Sequence, residues 1–598
     1  MKFDSINDPA DRKVFQHFLE LVNGIDRCNL NLPTRRVLAM RIPGQLLQHS
    51  AGEEPYSVFF VAGAAFDGFH VRFRDVARGG LRIVKTSNQE HYLFESARAY
   101  DEVYRLAFAQ QLKNKDIAEG GAKALIVMKP GLHPNRAGQD FLDGIFDLLV
   151  EKKRVLPNDC GNGAEEYLYF GPDENVSNEL IDWVTKHASK RNYPFPNSII
   201  SSKPSIGISH KEFGVTSEGV IVFLHQALLE CGINPNRPFS VKLTGGPDGD
   251  VAGNAIRFLI RDYAPQVKIV GLADGSGSIV DPEGLEYDEL MRLVENERPI
   301  ASFDLERLSG RGSFYDLSCE EYVAKRNNMH FTVQSDVFLP AGGRPSAINE
   351  ANWKEYFDGA GNPRSRIIVE GANLFLTDRA RQELSTRGVA IVKDSSANKC
   401  GVICSSLEII LAMLVEEEEI ASIRPRYIEE TIVLLRELAH IEAISLFNEH
   451  ARSPKLTLPQ ISVRISQEII RVADTIIADF ENWPAEKLSL ANDYILSFLP
   501  QSLVGKFGEE VATRIPPIYR RQLVAAIVSS RLVYREGWRN LSEVEDSSLV
   551  RLVHREMTYE REVQAMVADV QASSLAKKNS IVSVLQHAGT RSHRELNL

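Results

Sequence analysis

The chain of 598 residues predicts an α/β protein that ends in a long helical region, and three patterns carry that prediction. Around residues 56–74 apolar and polar side chains alternate, with Phe69, Val71 and Phe73 on one side and His70, Arg72 and Arg74 on the other. That is the period of antiparallel strands. From about residue 205 the pattern becomes strand, glycine turn, helix, strand, the mark of a parallel α/β unit. Beyond residue 400 almost every segment has helical periodicity.

In chain order, residues 1–34 form an N-terminal segment with one short helix, "DRKVFQHFLELVNGI", and a polar connector. In the alternating region "FDG" reads as a turn, and the His70–Arg72–Arg74 side is expected to face solvent or a cleft. A helix through "QEHYLFESARAYDEVYRLAFAQQLKNK" leads into "LKNKDIAEGGAKALIVMKPG", residues 112–131. Lys113 sits where that helix runs out. Lys123 sits in a Gly-Gly-Ala-Lys turn ahead of the apolar run Ala124–Met128, so it is either a surface lysine beside a tight turn or a lysine held for chemistry. A second amphipathic helix, "QDFLDGIFDLLVEKKRV", has Phe141, Ile145, Leu148 and Leu149 on one face. The run Glu416–Glu419 reads as a solvated helix face.

Composition narrows the function classes. With 43% hydrophobic and 25% charged residues, the chain has material for large cores. A net charge of −11 and a pI near 5.8 argue against nucleic acid or an anionic membrane as partner. Cys28, Cys160, Cys231, Cys319, Cys400 and Cys404 are scattered without a CxxC pair, which reads as a reducing compartment and no structural metal. The N-terminus shows no secretory h-region, and no apolar run approaches the roughly 18 residues of a membrane span. The expected location is cytoplasmic.

The clearest cofactor signal is "PFSVKLTGGPDGDVAGNAIRFLIRDY". A β-rich run, Phe239 to Leu243, meets Gly245-Gly246 and Gly249, then a helix whose first turn holds Asp250, Val251, Ala252 and Gly253. The spacing Gly246-x-x-Gly249-x-x-x-Gly253 is one residue longer than the usual GxGxxG/A. The requirement is unchanged, because glycines let the backbone approach a pyrophosphate at a helix N-terminus. A second strand, "VKIVGLAD", ends at Asp274, where an acid can bond an adenosine ribose. The plainer alternative is a glycine-rich turn without a ligand. The later runs "DVFLPAGG", "RIIVEGAN" and "VAIVKDSSAN" add buried strands with small polar residues at their carboxyl ends, where open α/β sheets bind ligands.

Seven motifs then fall in a familiar order: "ARGGLRI" (77–83), "KNKDIAEGGAK" (113–123), "YFGPDENV" (169–176), "TGGPDGDVAGN" (244–254), "SIVDPEG" (278–284), "VEGANLFLT" (369–377) and "SSANKCGVICSS" (395–406). Over residues 35–450 the chain resembles glutamate dehydrogenases, and "DVFLPAGGRPSAIN" points to their large NAD-specific type. Large members usually carry a long N-terminal regulatory region that this chain lacks, so the expectation is a short natural form or a catalytic fragment.

The resemblance implies NAD-dependent, reversible oxidative deamination of L-glutamate to 2-oxoglutarate and ammonium. It makes Lys113 the grip on the substrate α-carboxylate, Lys123 the catalytic lysine and Asp173 the proton-transfer acid, with Glu174 the neighbouring alternative. A lysine desolvated beside another cation has a lowered pKa and can polarise a carbonyl or activate water. Where the family often continues Gly-Gly after that lysine, this chain has Ala124-Leu125. Arg78 takes the place of the family's lysine for the side-chain carboxylate, a departure that keeps a cation with bidentate capacity. Ser405 matches its serine, and Asn398 is expected in the same corner. Thr216 and Asn373 match positions that contact the nicotinamide amide and ribose, and Gly246, Gly249, Asp250, Val251 and Asp274 complete the NAD set.

The implied architecture is a two-lobed amino-acid dehydrogenase. An α/β substrate domain (35–205) is completed by returning helices (401–450), a Rossmann-like NAD-binding domain spans 206–400, and a C-terminal helical region spans 451–598. Family members are homo-oligomers, so one is expected here, with no nucleic-acid or membrane partner. Two other readings stay open: an NAD-dependent dehydrogenase of another amino acid, which needs Arg78 and Ser405 turned away from substrate, and a non-catalytic nucleotide-sensing protein, which does not need the Lys123–Asp173 couple.

Overall fold

A computed structural model describes residues 8–47, 53–150, 166–201, 203, 207–582 and 584–585. It divides into two compact units, each assembled from separated stretches of chain. Unit 1 takes the chain up to Ile208 together with Ser405–Arg424 and Phe507–Val524; unit 2 takes Ser209–Cys404, Pro425–Lys506 and the chain from Ala525.

Unit 1 opens with helix α1 (Pro9–Gly24) and is built on a sheet of seven strands: β1 (Arg27–Cys28), β2 (Leu38–Pro43), β3 (Ser57–Ala62), β4 (Phe66–Arg72), β5 (Val76–Lys85), β6 (Gly120–Met128) and β7 (Tyr167–Pro172). Their order is β1-β2-β3-β4-β6-β5-β7. The first four pair antiparallel and β6 joins β4 antiparallel, while β6, β5 and β7 run parallel. Helix α2 (Gln89–Lys113) covers one face, where Val58, Val71, Phe73 and Tyr104 share a core. Helices α3 (Pro134–Val150) and α4 (Asn178–Lys190) belong to the other face, where Phe59, Phe66, Ile83, Phe141 and Leu180 share a second.

Two layers of helices correct the expectation for β4. His70 is 1% exposed and Arg72 is fully buried, so at these two positions the polar side of the alternation faces neither solvent nor a cleft, and only Arg74 beyond them keeps some exposure. His70 lies against Phe59 and Phe170 with ring centroids 6.0 and 5.5 Å away, and Arg72 pairs with buried Glu166. Arg41 and Arg27 approach the same carboxylate at 3.1 and 3.6 Å. The arginines are buried because a distant acid supplies their counter-charge, while His70 is buried with its pKa pushed down by desolvation. "FDG" is likewise strand, and the turn before it is Gly63–Ala65, closed by Gly63 N donating to Phe66 O at 2.9 Å. The end of the predicted "QDFLDGIFDLLVEKKRV" helix, from residue 151, lies outside the described residues.

Unit 2 begins with α5 (His210–Phe213) and α6 (Val215–Glu230). Its strands are β8 (Phe239–Thr244), β9 (Val267–Ala273), β10 (Ser278–Val280), β11 (Ser313–Tyr315), β12 (Val337–Pro340), β13 (Ile367–Val369) and β14 (Ala390–Val392). Between them lie α7 (Asp250–Tyr263), α8 (Tyr287–Glu295), α9 (Glu320–Asn327), α10 (Met329–Thr332) and α11 (Asp378–Ser385). The order β11-β10-β9-β8-β12-β13-β14 is parallel from β9 to β14, with β10 and β11 antiparallel at one edge. From β8 the chain moves to β9 on one side and later to β12 on the other. The switch point of a doubly wound sheet therefore lies at the carboxyl ends of β8 and β12.

From residue 394 the chain is helical, as expected: α12 (Asp394–Ala397), α13 (Cys400–Leu414), α14 (Glu417–Arg452), α15 (Leu458–Asp479), α16 (Ala485–Phe498), α17 (Gln501–Phe507), α18 (Val511–Arg514), α19 (Pro517–Glu536), α20 (Trp538–Ser542) and α21 (Asp546–Ala572). Glu417–Glu419 occupy the exposed first turn of α14, where acids complement the helix dipole. The membrane expectation needs one correction. The helical stretch Asp394–Leu414 is long and apolar enough to pass a length-and-composition test for a span, and 83% of its most apolar stretch is buried inside the protein. Burial accounts for the hydropathy of a core helix.

Candidate active site

In unit 1 the site is laid out across three parallel strands. Gly80 on β5 lies in register with Lys123 on β6 and Gly171 on β7. Asp173 follows β7 directly and is tied to β5 by its N–H, which donates to Leu81 O at 3.0 Å. The Lys123 ammonium and the Asp173 carboxylate form an ion pair. Glycine at position 80 leaves the space in which they meet, because a Cβ there would lie 2.8 Å from Lys123 Nζ and 2.6 Å from Asp173 Cγ. The Lys123 side chain is 14% exposed and that of Asp173 is 41% exposed, so the pair is reachable from solvent while its walls are buried. Glu174 turns elsewhere, accepting from Arg82 Nε at 3.0 Å.

The sequence placed Lys123 in a glycine turn. Gly120 and Gly121 are instead the first residues of β6; Gly120 leaves room for Arg74, and the smallness of Gly121 serves helix packing. A Cβ on Gly121 would lie 2.5 Å from Gln111 Cα and 2.6 Å from Ala107 O of α2. The helix end thus presses on the strand, and Gln111 Oε1 accepts from Gly121 N at 2.7 Å. Lys113 closes α2, half-buried. Its neighbour Asn114 donates to Glu119 O at 3.0 Å and reaches Arg78 O at 3.4 Å. Ala124 and Leu125, where the family often has glycines, point into the cores on opposite faces of the sheet.

Arg78 lies on β5 between Gly121 and Tyr169. It is 9% exposed, and its Nη2 donates to Ser405 Oγ at 2.7 Å. The cation and the hydroxyl expected to receive a carboxylate therefore meet, although 327 residues separate them in sequence.

In unit 2 the glycine-rich loop follows β8 at the switch point. Gly245 has φ +100°, and a Cβ there would strike Ala252 Cβ and Gly342 N at 2.8 and 3.0 Å. Gly249 N-caps α7 without a side-chain cap, which leaves first-turn N–H groups available to an anion. Asp250, half-buried, has its carboxyl pushed up by desolvation, and Val251 O accepts from Ser217 Oγ at 2.8 Å. Asp274 sits against Gly246, whose Cβ would lie 2.5 Å from Asp274 Oδ2. Its Oδ1 accepts from Ser276 N and Oγ at 2.7 and 2.6 Å and from Gly277 N at 3.2 Å, while Oδ2 accepts from Ile300 N at 2.8 Å. The acid fastens its own loop and keeps acceptor capacity on Oδ2.

Asn398, expected beside Arg78 and Ser405, donates to Gly371 O at 3.0 Å and to Asn373 Oδ1 at 2.8 Å. Its amide is committed to the loop that carries Asn373. Thr216, half-buried on α6, packs by Gly401 of α13, where a Cβ would lie 2.7 Å from Oγ1. Sequence reasoning missed what clamps the Asn373 loop: buried Glu370 accepts from Arg381 Nε and Nη2 at 2.7 and 3.0 Å, and Asp394 accepts from Leu374 N at 2.8 Å. A lone acid closing the apolar run Ile367–Val369 was the available signal.

Fold and sites define a class first: an α/β protein with a doubly wound sheet and, on a second sheet, a lysine–aspartate pair beside an arginine–serine pair. Residues 207–430 match the sequence pattern of the Glutamate/Leucine/Phenylalanine/Valine dehydrogenase family. The chain is 33% identical over 564 residues to glutamate dehydrogenase 2 of Dictyostelium discoideum, covering 89% of this chain and 53% of that protein. It is also 33% identical over 576 residues to the NAD-specific glutamate dehydrogenase of Saccharomyces cerevisiae, covering 89% of this chain and 52% of that one. The chain thus spans about half the length of these relatives. Among solved structures, Plasmodium falciparum glutamate dehydrogenase 2 matches with a TM-score of 0.49 and 18% identity, covering 79% of this chain and 90% of that one.

Proposed function

We propose that the chain catalyses the NAD-dependent, reversible oxidative deamination of L-glutamate to 2-oxoglutarate and ammonium. One observation carries this reading: a single strand, β5, brings together the Arg78–Ser405 pair and, at Gly80, the floor under Lys123 and Asp173. A dicarboxylic amino acid needs both, a cation with a hydroxyl for its distal carboxylate and an acid–base couple at its amine.

In this reading Arg78 and Ser405 hold the side-chain carboxylate and Lys113 holds the α-carboxylate. Asp173 exchanges a proton with the substrate nitrogen. Lys123 steadies negative charge developing on the oxygen that water adds and 2-oxoglutarate retains. Bound NAD supplies the hydride acceptor. The loop after β8 fits a dinucleotide on its own features, since Gly245 permits close backbone approach and α7 offers an uncapped N-terminus. Gly246 and Gly249, with the first-turn residues Asp250 and Val251, would hold the pyrophosphate, and Thr216 and Asn373 the nicotinamide end. Asp274 would accept from the adenosine ribose through Oδ2 and repel a 2′-phosphate, so NAD is preferred over NADP. The names of the relatives, with NAD specificity in one of them, support the same assignment.

The test is NADH oxidation with 2-oxoglutarate and ammonium, run against a panel of other 2-oxo acids and repeated with NADPH. The expected result is highest kcat/KM with 2-oxoglutarate and NADH. Preference for a 2-oxo acid with an apolar side chain, or equal efficiency with both cofactors, contradicts the substrate or the cofactor assignment respectively.

A further inference from the structure

The residues that face substrate in this reading are held by others it does not use. Glu119, directly before β6, is 1% exposed. Its Oε1 accepts from the hydroxyl of Tyr519 at 2.5 Å. Tyr519, fully buried on α19, also meets Ser406, whose Oγ lies 3.3 Å from Tyr519 Oη in a hydroxyl–hydroxyl hydrogen bond. The Tyr519 ring meets Tyr169 edge-on, with centroids 6.1 Å apart. The first turns of α19 grip the sheet again nearby, where Gln522 Nε2 donates to Asp75 Oδ1 at 2.9 Å, just before β5.

This chain of contacts runs alongside the Arg78–Ser405 bond. Arg78 lies on β5 between Gly121 of β6 and Tyr169 of β7, so Tyr169 stands on one flanking strand and Glu119 directly before the other. Ser406 follows Ser405 on α13. We infer that Tyr519, braced between Glu119 and Ser406, is a positioning residue that sets the separation of Arg78 from Ser405 and thereby the fit of the substrate's distal carboxylate. The inference rests on the function proposed above, and it gives a residue near the end of the chain a part in substrate selection.

A double-mutant cycle with Tyr519→Phe and Ser405→Ala tests it by steady-state kinetics in the 598-residue chain. Tyr519→Phe keeps the ring and loses one buried hydrogen bond, so KM for 2-oxoglutarate should rise about fivefold. KM for NADH and kcat should stay within about twofold, and adding Tyr519→Phe to Ser405→Ala should change KM for 2-oxoglutarate by less than about twofold, because residues acting through one contact are not additive. Full additivity, or equal losses toward 2-oxoglutarate and NADH, would overturn the inference. If Tyr519→Phe does not fold, Glu119→Leu in the same cycle breaks the brace from its other end and is read by the same criteria. A parent chain without 2-oxoglutarate turnover overturns the proposed function and this inference together, whereas an active parent with additive variants overturns this inference alone.

Discussion

Glycine 80 acts by what it omits. Its missing Cβ is the room in which Lys123 and Asp173 meet, so Gly80→Ala should push the pair apart while the strand remains formed. Displacing a catalytic group by about 1 Å can cost on the order of 10²-fold in rate. The expected outcome is a folded enzyme with kcat down by about that factor and NADH binding, read by its fluorescence, unchanged. With Asp173 in the proton-transfer role proposed above, Asp173→Asn should cost about 10²–10⁴-fold, whereas Glu174→Gln, which gives up only the half-exposed partner of Arg82, should stay within about threefold. An active Asp173→Asn enzyme beside an inactive Glu174→Gln enzyme would move the proton-transfer role by one position. At this scale short motifs marked side chains that the fold brings together, Lys123 with Asp173 and Arg78 with Ser405. The sequence was silent about Glu119 and Tyr519, 400 residues from one another, since nothing local marks them as partners.

At the scale of the element, β4 shows why pattern alone misleads. Alternation with histidine and arginine reads as a solvated side, yet the counter-charge comes from Glu166 on the approach to β7. A period of two reports which side chains share a face, not whether that face is wet. The burial has a pH signature. Desolvation, aided by the Arg72 charge, holds His70 down at about 3, against about 6.5 unfolded. Below pH 6.5 the unfolded chain takes up a proton that the folded chain refuses, so stability is complete above that pH and falls as pH drops toward 3. Each pH unit costs about 1.4 kcal/mol for this one group. His70→Phe should remove one proton of that dependence, measured as the pH slope of unfolding free energy between pH 6 and 5; an unchanged slope would show that His70 titrates normally in the fold. Strand β8 repeats the lesson, because Lys242, read as one polar letter in a β-run, is fully buried and donates to His330 O and Val333 O at 2.9 and 2.7 Å. Lys242→Ala strands these carbonyls in the core and should cost about 3 kcal/mol of stability, measured by denaturant melts.

Across the whole molecule, the parallel sheet around the glycine turn and the helical region after residue 400 were both visible in advance, because long periodic segments announce themselves. What could not be read was how often the chain returns. Residues 451–598 look like one appended helical region, but Phe507–Val524 belong to unit 1 and the stretches on either side belong to unit 2. Amphipathic helices reveal that they have an apolar face; they do not reveal which core receives it.

That return carries a consequence for biosynthesis. Residues up to Ile208 leave the ribosome roughly 300 residues ahead of the segment that completes their unit, a delay of roughly 15–60 s at common elongation rates. During that interval Asp75, Glu119 and Tyr169 lack the α19 contacts that cover them in the finished protein. The apolar surface that α19 would cover stays in water meanwhile, and each large side chain left unburied forgoes about 1.5–3 kcal/mol, a large share of the about 5–15 kcal/mol that keeps a domain folded. A chain stopped after residue 506 should therefore be cut by trypsin within residues 53–150 and 166–201 much faster than the whole chain, and equal protection would show that the early segment stands without its late arrival. Synthesis from the N-terminus leaves this unit incomplete until its last piece is made.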